Sequence, residues 1–236
     1  SGGVTRYDGE FFTSYSEQDG LVSDDVWSLF VDSNDRLWIG TLYGASVFDG
    51  KNFAPFPLPE GKRNPRRGVS GKSMVRWFAE DSAGRIWIAG ECRVFRVVGG
   101  EIETVEVLEG KPDVYVTMLL EDQRGDMWFG TDDQGVIRSD GDKSANFTDP
   151  QGLPGVEVNG LFEDSLGNIW FTVEGLGVCR YDGEAVKRFT EDEGLETFAP
   201  FTITEDRDGR IWFVGFGGTW RYDGGAIVNV TRDGPW

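Results

Sequence analysis

The side chains best suited to chemistry in this sequence are acids and arginines, because it contains no histidine. An imidazole base, a zinc ion held by histidine and a Ser-His pair are therefore excluded. Asp132, Asp133 and Glu174 fall in predicted loops and leave hydrolysis by a carboxylate pair formally open. Such pairs are unsurprising in a chain with 41 acids and a net charge of -18, so we expect no catalytic residues and no enzyme.

One segment concentrates basic residues in this acidic chain. The stretch PLPEGKRNPRRGVSGKSMVRW, residues 57–77, contains Lys62, Arg63, Arg66, Arg67, Lys72 and Arg76. Planar guanidinium groups could bind a carboxylate, sulfate or phosphate of a ligand, and such binding would depend on salt. The alternative is a flexible, solvated loop whose charge only relieves the negative potential of the rest of the chain.

The charge and the apolar pattern limit the partners. A net charge of -18 repels nucleic acid and anionic membrane surfaces. No run approaches the roughly 20 apolar residues of a membrane span. The chain starts with SGGVTRYDG, which lacks the pattern of a secretion signal, so it is either intracellular or cut from a longer protein.

Metal and cofactor sites are also not expected. Cys92 and Cys179 lack CxxC spacing, and we expect free, buried thiols. The segments at residues 32–35 and 206–209 resemble the start of oxygen-rich calcium loops, which space their ligands at alternate positions. No copy continues to a bidentate Glu at the expected distance, so a hairpin turn is the preferred interpretation.

A repeat determines the predicted fold. Trp38, Trp87, Trp128, Trp170 and Trp212 are spaced 49, 41, 42 and 42 residues apart, a period found in propeller blades. Around Trp170, the segments NGLFED, IWFTV, GVCRYDG and AVKRFT are typical of four short strands joined by tight turns. The sequence therefore predicts an all-β propeller of four-stranded antiparallel blades. In each blade the acid-turn-Gly segment is a hairpin turn, and the Trp fills the space between adjacent blades.

The copies leave a surplus at the N-terminus. Five complete repeats at approximately 24–68, 69–112, 113–153, 154–195 and 196–236 follow a half blade at 1–22, and we expect all of them to form one propeller domain over residues 1–236. Five blades are preferred and six are possible, although six would leave one blade without its inner strands. The half blade is expected either to pack outside the ring or to mediate a homodimer.

The predicted ligand site lies where the innermost strands begin, at the mouth of the central channel. The residues eleven positions before each repeated Trp are Trp27, Arg76, Thr117, Asn159 and Phe201. Aromatic rings suit the apolar face of a sugar, while Arg and Asn suit its hydroxyls. Together with Arg66 and Arg67 they form the candidate binding set, and Tyr43 and Phe216 have a similar but weaker case. Alternatively, Trp27 and Phe201 only close the channel with apolar bulk.

The string EDSLGNIWFTVEGLGVCRYDGEAVKRFTEDEGL, with RYDG at positions 6, 180 and 221, resembles the two-component regulator propeller repeat over essentially the whole chain. The resemblance implies recognition in the extracytoplasmic sensing part of a bacterial sensor kinase, where polysaccharide fragments are typical signals. It therefore implies a periplasmic or extracellular location. The chain departs from such sensors by lacking the domain that normally follows, a membrane helix and a kinase, and by having fewer repeats.

Three functions are compared on this basis. The first is a non-catalytic module that senses an extracellular carbohydrate, and the second is a structural or protein-interaction scaffold. The third is a lyase of the kind that similar propellers form in antibiotic-inactivating enzymes, which use a histidine. The family resemblance and the basic segment favour the sensing module, and the absence of histidine argues against the lyase.

Overall fold

The computed structural model describes residues 2–65, 67–148, 157–195 and 200–233 and contains antiparallel sheets. The first sheet consists of β1 (Val4–Tyr7) and β2 (Phe12–Tyr15). The next two consist of β3 (Val26–Val31), β4 (Leu37–Thr41), β5 (Gly44–Phe48) and β6 (Phe53–Phe56), and of β7 (Val75–Glu80), β8 (Ile86–Gly90), β9 (Arg93–Val98) and β10 (Glu101–Val105). The fourth sheet consists of β11 (Val116–Glu121), β12 (Met127–Thr131), β13 (Val136–Ser139) and β14 (Ser144–Asn146). The fifth consists of β15 (Val158–Glu163), β16 (Ile169–Val173), β17 (Gly177–Tyr181) and β18 (Val186–Phe189). The sixth consists of β19 (Pro200–Glu205), β20 (Ile211–Gly215), β21 (Gly218–Tyr222) and β22 (Ile227–Asn229). Short 3-10 segments lie at Glu17–Asp19 and Glu191–Glu193, and a helical turn, α1, spans Val230–Asp233.

The sheet topology is that of propeller blades. In each four-stranded sheet the strands are neighbours in the order in which they follow along the chain. Five such sheets correspond to the five complete repeats, and the two-stranded sheet corresponds to the half blade. The predicted fold class is confirmed.

Two compact units make up the chain, Ser1–Glu121 and Asp122–Trp236. The first contains the half blade, two complete blades and β11, and the second contains β12 to β22 and α1. Within the first unit the half blade packs on the β3–β6 sheet through Val4, Leu21 and Ile39. A homodimer through the half blade and a single domain over all 236 residues stay predictions.

The turn between the first two strands of each blade is closed by its leading aspartate. In the β15–β16 turn, Asp164 Oδ1 accepts the backbone N–H groups of Leu166 at 3.0 Å and Asn168 at 2.8 Å. Its Oδ2 accepts the indole N–H of Trp170 at 2.7 Å. The same aspartate–indole bond joins Asp32 to Trp38, Asp81 to Trp87, Asp122 to Trp128 and Asp206 to Trp212. The predicted hairpin turn is confirmed, and the aspartate also fixes the orientation of the Trp ring.

Trp38, Trp128 and Trp170 pack between blades, as the sequence predicts. In the second unit Trp170 stacks on Phe189 of its own blade, with ring centroids 5.4 Å apart, and contacts Tyr222 of the next blade at 5.5 Å. In the first unit Trp38 contacts Phe56 of its own blade and Phe78 of the next. A cation also lies over the ring, since Arg180 stands 5.7 Å from the Trp170 centroid. Four of the repeated Trp residues are buried, namely Trp38, Trp87, Trp128 and Trp170, whereas Trp212 is half-buried.

In four blades, a glutamate at the end of the first strand joins the blade to the preceding one. Glu80 accepts the N–H of Ser33 at 2.7 Å and its hydroxyl at 2.6 Å, and Glu205 accepts the same two groups of Ser165 at 2.7 Å. Equivalent bonds join Glu121 to Ser82 and Glu163 to Gln123. We call this contact the glutamate clasp. It joins the turn of one blade to the first strand of the next.

The cysteines are free and buried, as expected. Burial raises the pKa of the Cys179 thiol to about 12. Cys179 therefore stays a protonated core residue at neutral pH.

Candidate ligand-binding site

The predicted site residues occupy equivalent positions at one end of the blades, which we call the loop end. Each of Trp27, Arg76, Thr117, Asn159 and Phe201 is the second residue of the first strand in its blade. The strand register shifts around four of them, between Val26 and Ser28, Val75 and Trp77, Val158 and Gly160, and Pro200 and Thr202. Because an extra residue bends the strand and redirects its side chain, these bulges set the predicted residues apart from the regular ladder.

Aromatic side chains are exposed at the loop end of the first unit. Trp27 is 50% exposed, and Tyr43, in the turn between β4 and β5, is 63% exposed. Both residues belong to the open end of the β3–β4 hairpin, where Leu42 N–H donates to Asp25 O at 3.1 Å. Large apolar rings in water mark possible binding surfaces, because burying them stabilises a complex.

Arg76 is held by a buried acid that the sequence interpretation missed. Glu91 follows β8 at the loop end, and its side chain has no exposed surface. The Arg76 guanidinium lies 3.5 Å from Glu91 Oε2, and the Arg76 side chain is mostly buried. A buried carboxylate needs such partners to offset the loss of hydration. The ion pair therefore fixes the direction of the guanidinium group in the first unit.

The basic segment is folded onto the same acid. The backbone N–H of Asn64 donates to Glu91 Oε1 at 2.9 Å and to Ser70 Oγ at 2.8 Å, and Ser70 Oγ also bonds Glu91 Oε1 at 2.9 Å. Gly61 N–H donates to Lys72 O at 2.7 Å, which joins the two ends of the segment. The buried carboxylate of Glu91 therefore anchors Asn64 and Ser70, a contact that the alternative of a flexible, solvated loop does not include.

The basic side chains of this segment differ in their surroundings. Lys62 pairs with Asp113, Lys72 lies 3.7 Å from Glu60, and Arg63 is exposed. Arg67 is half-buried, and its N–H donates to Asn64 O at 3.4 Å. Arg66 lies outside the described residues. The structure thus places Arg76 directly against Glu91, whereas Arg67 joins the same network only through its backbone bond to Asn64.

A second buried group adjoins Glu91. Cys92 has a positive φ of 48° and is fully buried, and burial raises the pKa of its thiol. The pKa of Tyr115 is raised to about 12, mainly by burial and secondly by the neighbouring Cys92. Both groups are therefore neutral near pH 7, and their side chains hydrogen-bond to each other. The sequence offered only the unusual Glu-Cys pair after β8 as a sign of this arrangement.

The second unit has its own loop-end groups. Phe201 is 39% exposed and meets Phe216, which is 74% exposed, edge to face with ring centroids 4.5 Å apart. Asn159 is half-buried at the start of β15. A cleft of about 410 Å³ lies near the turn after β16, lined by Leu176, Arg188, Asp192 and others. Arg188 Nε donates to Leu176 O at 2.7 Å, and both residues line the cleft.

The acids considered for hydrolysis lie in the loops where the sequence predicts them. Asp132 and Asp133 follow β12, and Glu174 follows β16 with its N–H bonded to Glu157 O at 2.9 Å. Asp132 is buried. In the described part of the chain, no group of three or more acids and cysteines is placed to hold a metal ion. In the turns that resemble calcium loops, the carboxylate oxygens of Asp32 and Asp206 accept hydrogen bonds from N–H groups.

The first two strands of three blades match a known protein family. The family model described as two component regulator propeller matches residues 20–43, 110–133 and 152–175. Each match covers the first two strands of a blade, including the aspartate turn and the repeated Trp.

Three segments of the chain match the two component regulator propeller repeat.

Solved structures share the propeller fold of these repeats. A catalytically inactive virginiamycin B lyase from Staphylococcus aureus with quinupristin has a TM-score of 0.74 at 19% identity, over 94% of this chain and 74% of that one. The extracellular domain of a B. thetaiotaomicron protein described as a hybrid two component system has a TM-score of 0.70 at 20% identity, over 90% and 31%. That of a one component system from the same organism has a TM-score of 0.67 at 16% identity, over 94% and 28%.

The repeats span about a third or less of those two sensor domains. No sequence among curated proteins is significantly similar to the chain. Within residues 2–65, 67–148, 157–195 and 200–233, no helix has the length and apolarity needed to cross a bilayer.

Proposed function

We propose that this propeller is a non-catalytic sensing module that binds an extracellular carbohydrate carrying carboxylate or sulfate groups. The observation that carries the proposal is the loop end of the first unit. There, half-exposed Trp27 and exposed Tyr43 accompany Arg76, whose guanidinium is fixed by Glu91. The family resemblance and the sensor domains that share the fold support the sensing role and an extracellular or periplasmic location.

The chemistry of these groups suits an acidic sugar. A pyranose ring has an apolar face that covers an aromatic ring and a rim of hydroxyls that need hydrogen bonds. Trp27 offers the ring, and Thr117 occupies the equivalent strand position in another blade of the same unit. Arg67 and Arg76 would supply charge-assisted bonds to an acidic substituent. The overall charge of -18 repels an anionic ligand. The positive charges of Arg67 and Arg76 would therefore have to attract the ligand locally.

An enzymatic role has less support. The inactive S. aureus lyase with a similar fold has a histidine replaced by alanine, and this chain has no histidine. The loop-end acids Asp132, Asp133 and Glu174 are spread over the turns of two blades. We therefore assign the loop end to binding.

The test is a glycan-array screen of the purified chain at low and physiological salt, with sulfated and uronic-acid oligosaccharides included. We expect binding that weakens as salt rises, because the Debye length falls to about 8 Å at 0.15 M. Calorimetry with a positive glycan should then show at least a roughly tenfold loss of affinity in Trp27→Ala and in Arg67→Ala.

Matched controls separate the site from general surface effects. Phe12→Ala removes an exposed aromatic on the half blade, and Lys51→Ala removes an exposed cation on the β5–β6 turn. Both should bind like the parent chain. If the folded chain binds no glycan on the array, or if the control variants lose as much affinity as the site variants, the alternative of a protein-interaction scaffold is favoured.

A further inference from the structure

The cleft of about 410 Å³ lies within the second unit, on the fourth blade, β15–β18. None of the residues that line it belongs to the proposed carbohydrate site. Two segments line it, the β16–β17 turn and part of residues 188–195. Pockets of about 300–1,000 Å³ hold small ligands. We propose that this cleft binds a zwitterion of the size of an amino acid or a dipeptide, with its carboxylate on Arg188 and its ammonium group on Asp192.

Arg188 makes one contact in the cleft for which a shorter side chain is sufficient. Its Nε donates to Leu176 O at 2.7 Å and joins the two lining segments. In the third blade, β11–β14, Asn146 has the same register position, and its amide donates to Gln134 O in the same way. The terminal nitrogens of the Arg188 guanidinium are not needed for this contact. They form a planar fork that suits a carboxylate.

Asp192 carries a charge that its turn does not require. The 3-10 turn that contains Asp192 has a counterpart in the half blade, where Gln18 takes its position. Other groups close the turn, since the Glu193 carboxylate accepts the N–H of Thr190 at 2.8 Å and its hydroxyl at 2.9 Å. Asp192 itself is exposed and lines the cleft. Its carboxylate can therefore bind a ligand without loss of the turn.

Opposite charges line the same cleft without pairing with each other. Across the residues that the structure describes, neither Arg188 nor Asp192 forms a salt bridge. A zwitterion carries both counter-charges on one small molecule, so it can contact the two groups at once. Glu191 adds a second carboxylate to the lining, and the whole chain has a charge of -18. These charges repel an anion without an ammonium group, and Arg188 repels a simple cation.

Two leucines provide the apolar part of the lining. Leu195 is 1% exposed and belongs to the core of the second unit, and Leu176 is half-buried. Gly177 lets the β16–β17 turn approach β18 closely, since a Cβ there would lie 2.5 Å from Phe189 O. We expect the ligand to place an aliphatic side chain against the leucines, because this contact removes apolar surface from water.

The probes are free leucine and the dipeptides glycyl-leucine and leucyl-glycine, titrated into the whole chain by calorimetry. We expect saturable binding of at least one of them. N-acetylation and C-amidation of the bound probe should each weaken binding at least about tenfold, because each removes a charged partner. These blocked probes test both contacts on the parent chain, so the result does not depend on the folding of a variant.

Two variants then test which side chain contacts which end of the probe. Arg188→Asn introduces the residue of the third blade and Asp192→Gln that of the half blade, so neither should disturb the fold. Arg188→Asn should bind the free probe about tenfold more weakly and should no longer distinguish it from the amidated probe. Asp192→Gln should likewise no longer distinguish the free from the acetylated probe. Such non-additivity assigns each contact.

Lys187→Asn is the matched control. Lys187 precedes Arg188 on β18, and its ammonium group lies 4.7 Å from the Phe189 ring centroid, on the opposite face of the strand. Removing this charge should leave probe binding unchanged, and urea denaturation checks the fold of each variant. The proposal is overturned if none of the probes binds the folded chain or if the blocked probes bind as tightly as the free ones. It is also overturned if Lys187→Asn loses as much affinity as Arg188→Asn.

Discussion

The aspartate that begins each inner turn has two functions. Asp164 closes the turn through backbone N–H groups and holds the indole N–H of Trp170. The constant distance of six residues from Asp to Trp in every complete repeat follows from this geometry. The sequence indicated the turn from its Asp and Gly, but it gave no direct sign that the carboxylate reaches the ring, because that bond depends on the strand pairing.

The aspartate turns predict how stability depends on pH. Burial alone would raise the pKa of Asp32 and Asp81, but bonds from the Trp38 and Trp87 indoles and from backbone N–H groups hold each pKa below its ordinary value of 3.8. A carboxyl whose pKa falls on folding stabilises the fold above its unfolded pKa. We expect the free energy of unfolding to fall as pH drops below 3.8.

Urea denaturation at steps from about pH 6 to pH 2 measures this effect. Asp81→Asn should be less stable at pH 6 and should lose less stability on acidification, because one titrating group is gone. Asp142→Asn, on an exposed turn, serves as the control. An Asp81→Asn profile parallel to that of the parent chain would contradict the assignment.

Blades are connected by two kinds of contact, the packed Trp and the glutamate clasp. The first is apolar and close to the blade centre, and the second joins a turn to the next first strand. The glutamates stand at the ends of strands, in a chain where acids are common. For that reason the sequence interpretation assigned them no role, and only the neighbouring turn reveals it.

Removing one clasp should destabilise its unit modestly. We expect Glu205→Ala to lower the free energy of unfolding by about 1 kcal/mol, since two charge-assisted bonds to Ser165 are lost at a partly exposed site. Glu101→Ala, an exposed glutamate at the start of β10, is the matched control and should change little. Chemical denaturation compares the two, and equal effects would argue against the clasp.

The whole chain carries a large excess of negative charge. With 41 acids against 23 basic residues, self-repulsion opposes the compact state at low ionic strength. Local ion pairs such as Lys72–Glu60 act in the opposite sense, but surface pairs contribute little on average. The net effect of salt on the folded chain is therefore expected to be stabilising.

Thermal unfolding should show this. The Tm should rise by about 2–4 °C for each kcal/mol of repulsion that is screened between low and about 0.3 M salt. Sodium chloride and choline chloride should act alike, because screening depends on ionic strength. A Tm that falls with both salts would show that ion pairs outweigh repulsion.

The period of the Trp residues was enough to predict the blades, because each blade is built from local hairpins. It was also enough to find the bulged positions, such as Trp27 and Asn159, since these recur at a fixed distance from the Trp. It was not enough to find the Glu91 network. That network joins Asn64, Ser70 and Arg76 across non-repeating sequence, where no period guides the interpretation.

The bond between the turn aspartate and the indole lies within a single hairpin. In evolutionary terms, a duplicated repeat would carry its own means of orienting the new Trp and would need no compensating change elsewhere. The repeat could therefore be copied by unequal recombination and remain foldable at each step. Val31 marks a blade whose first strand departs from the pattern of the other four, so a copy of this blade would lack their glutamate.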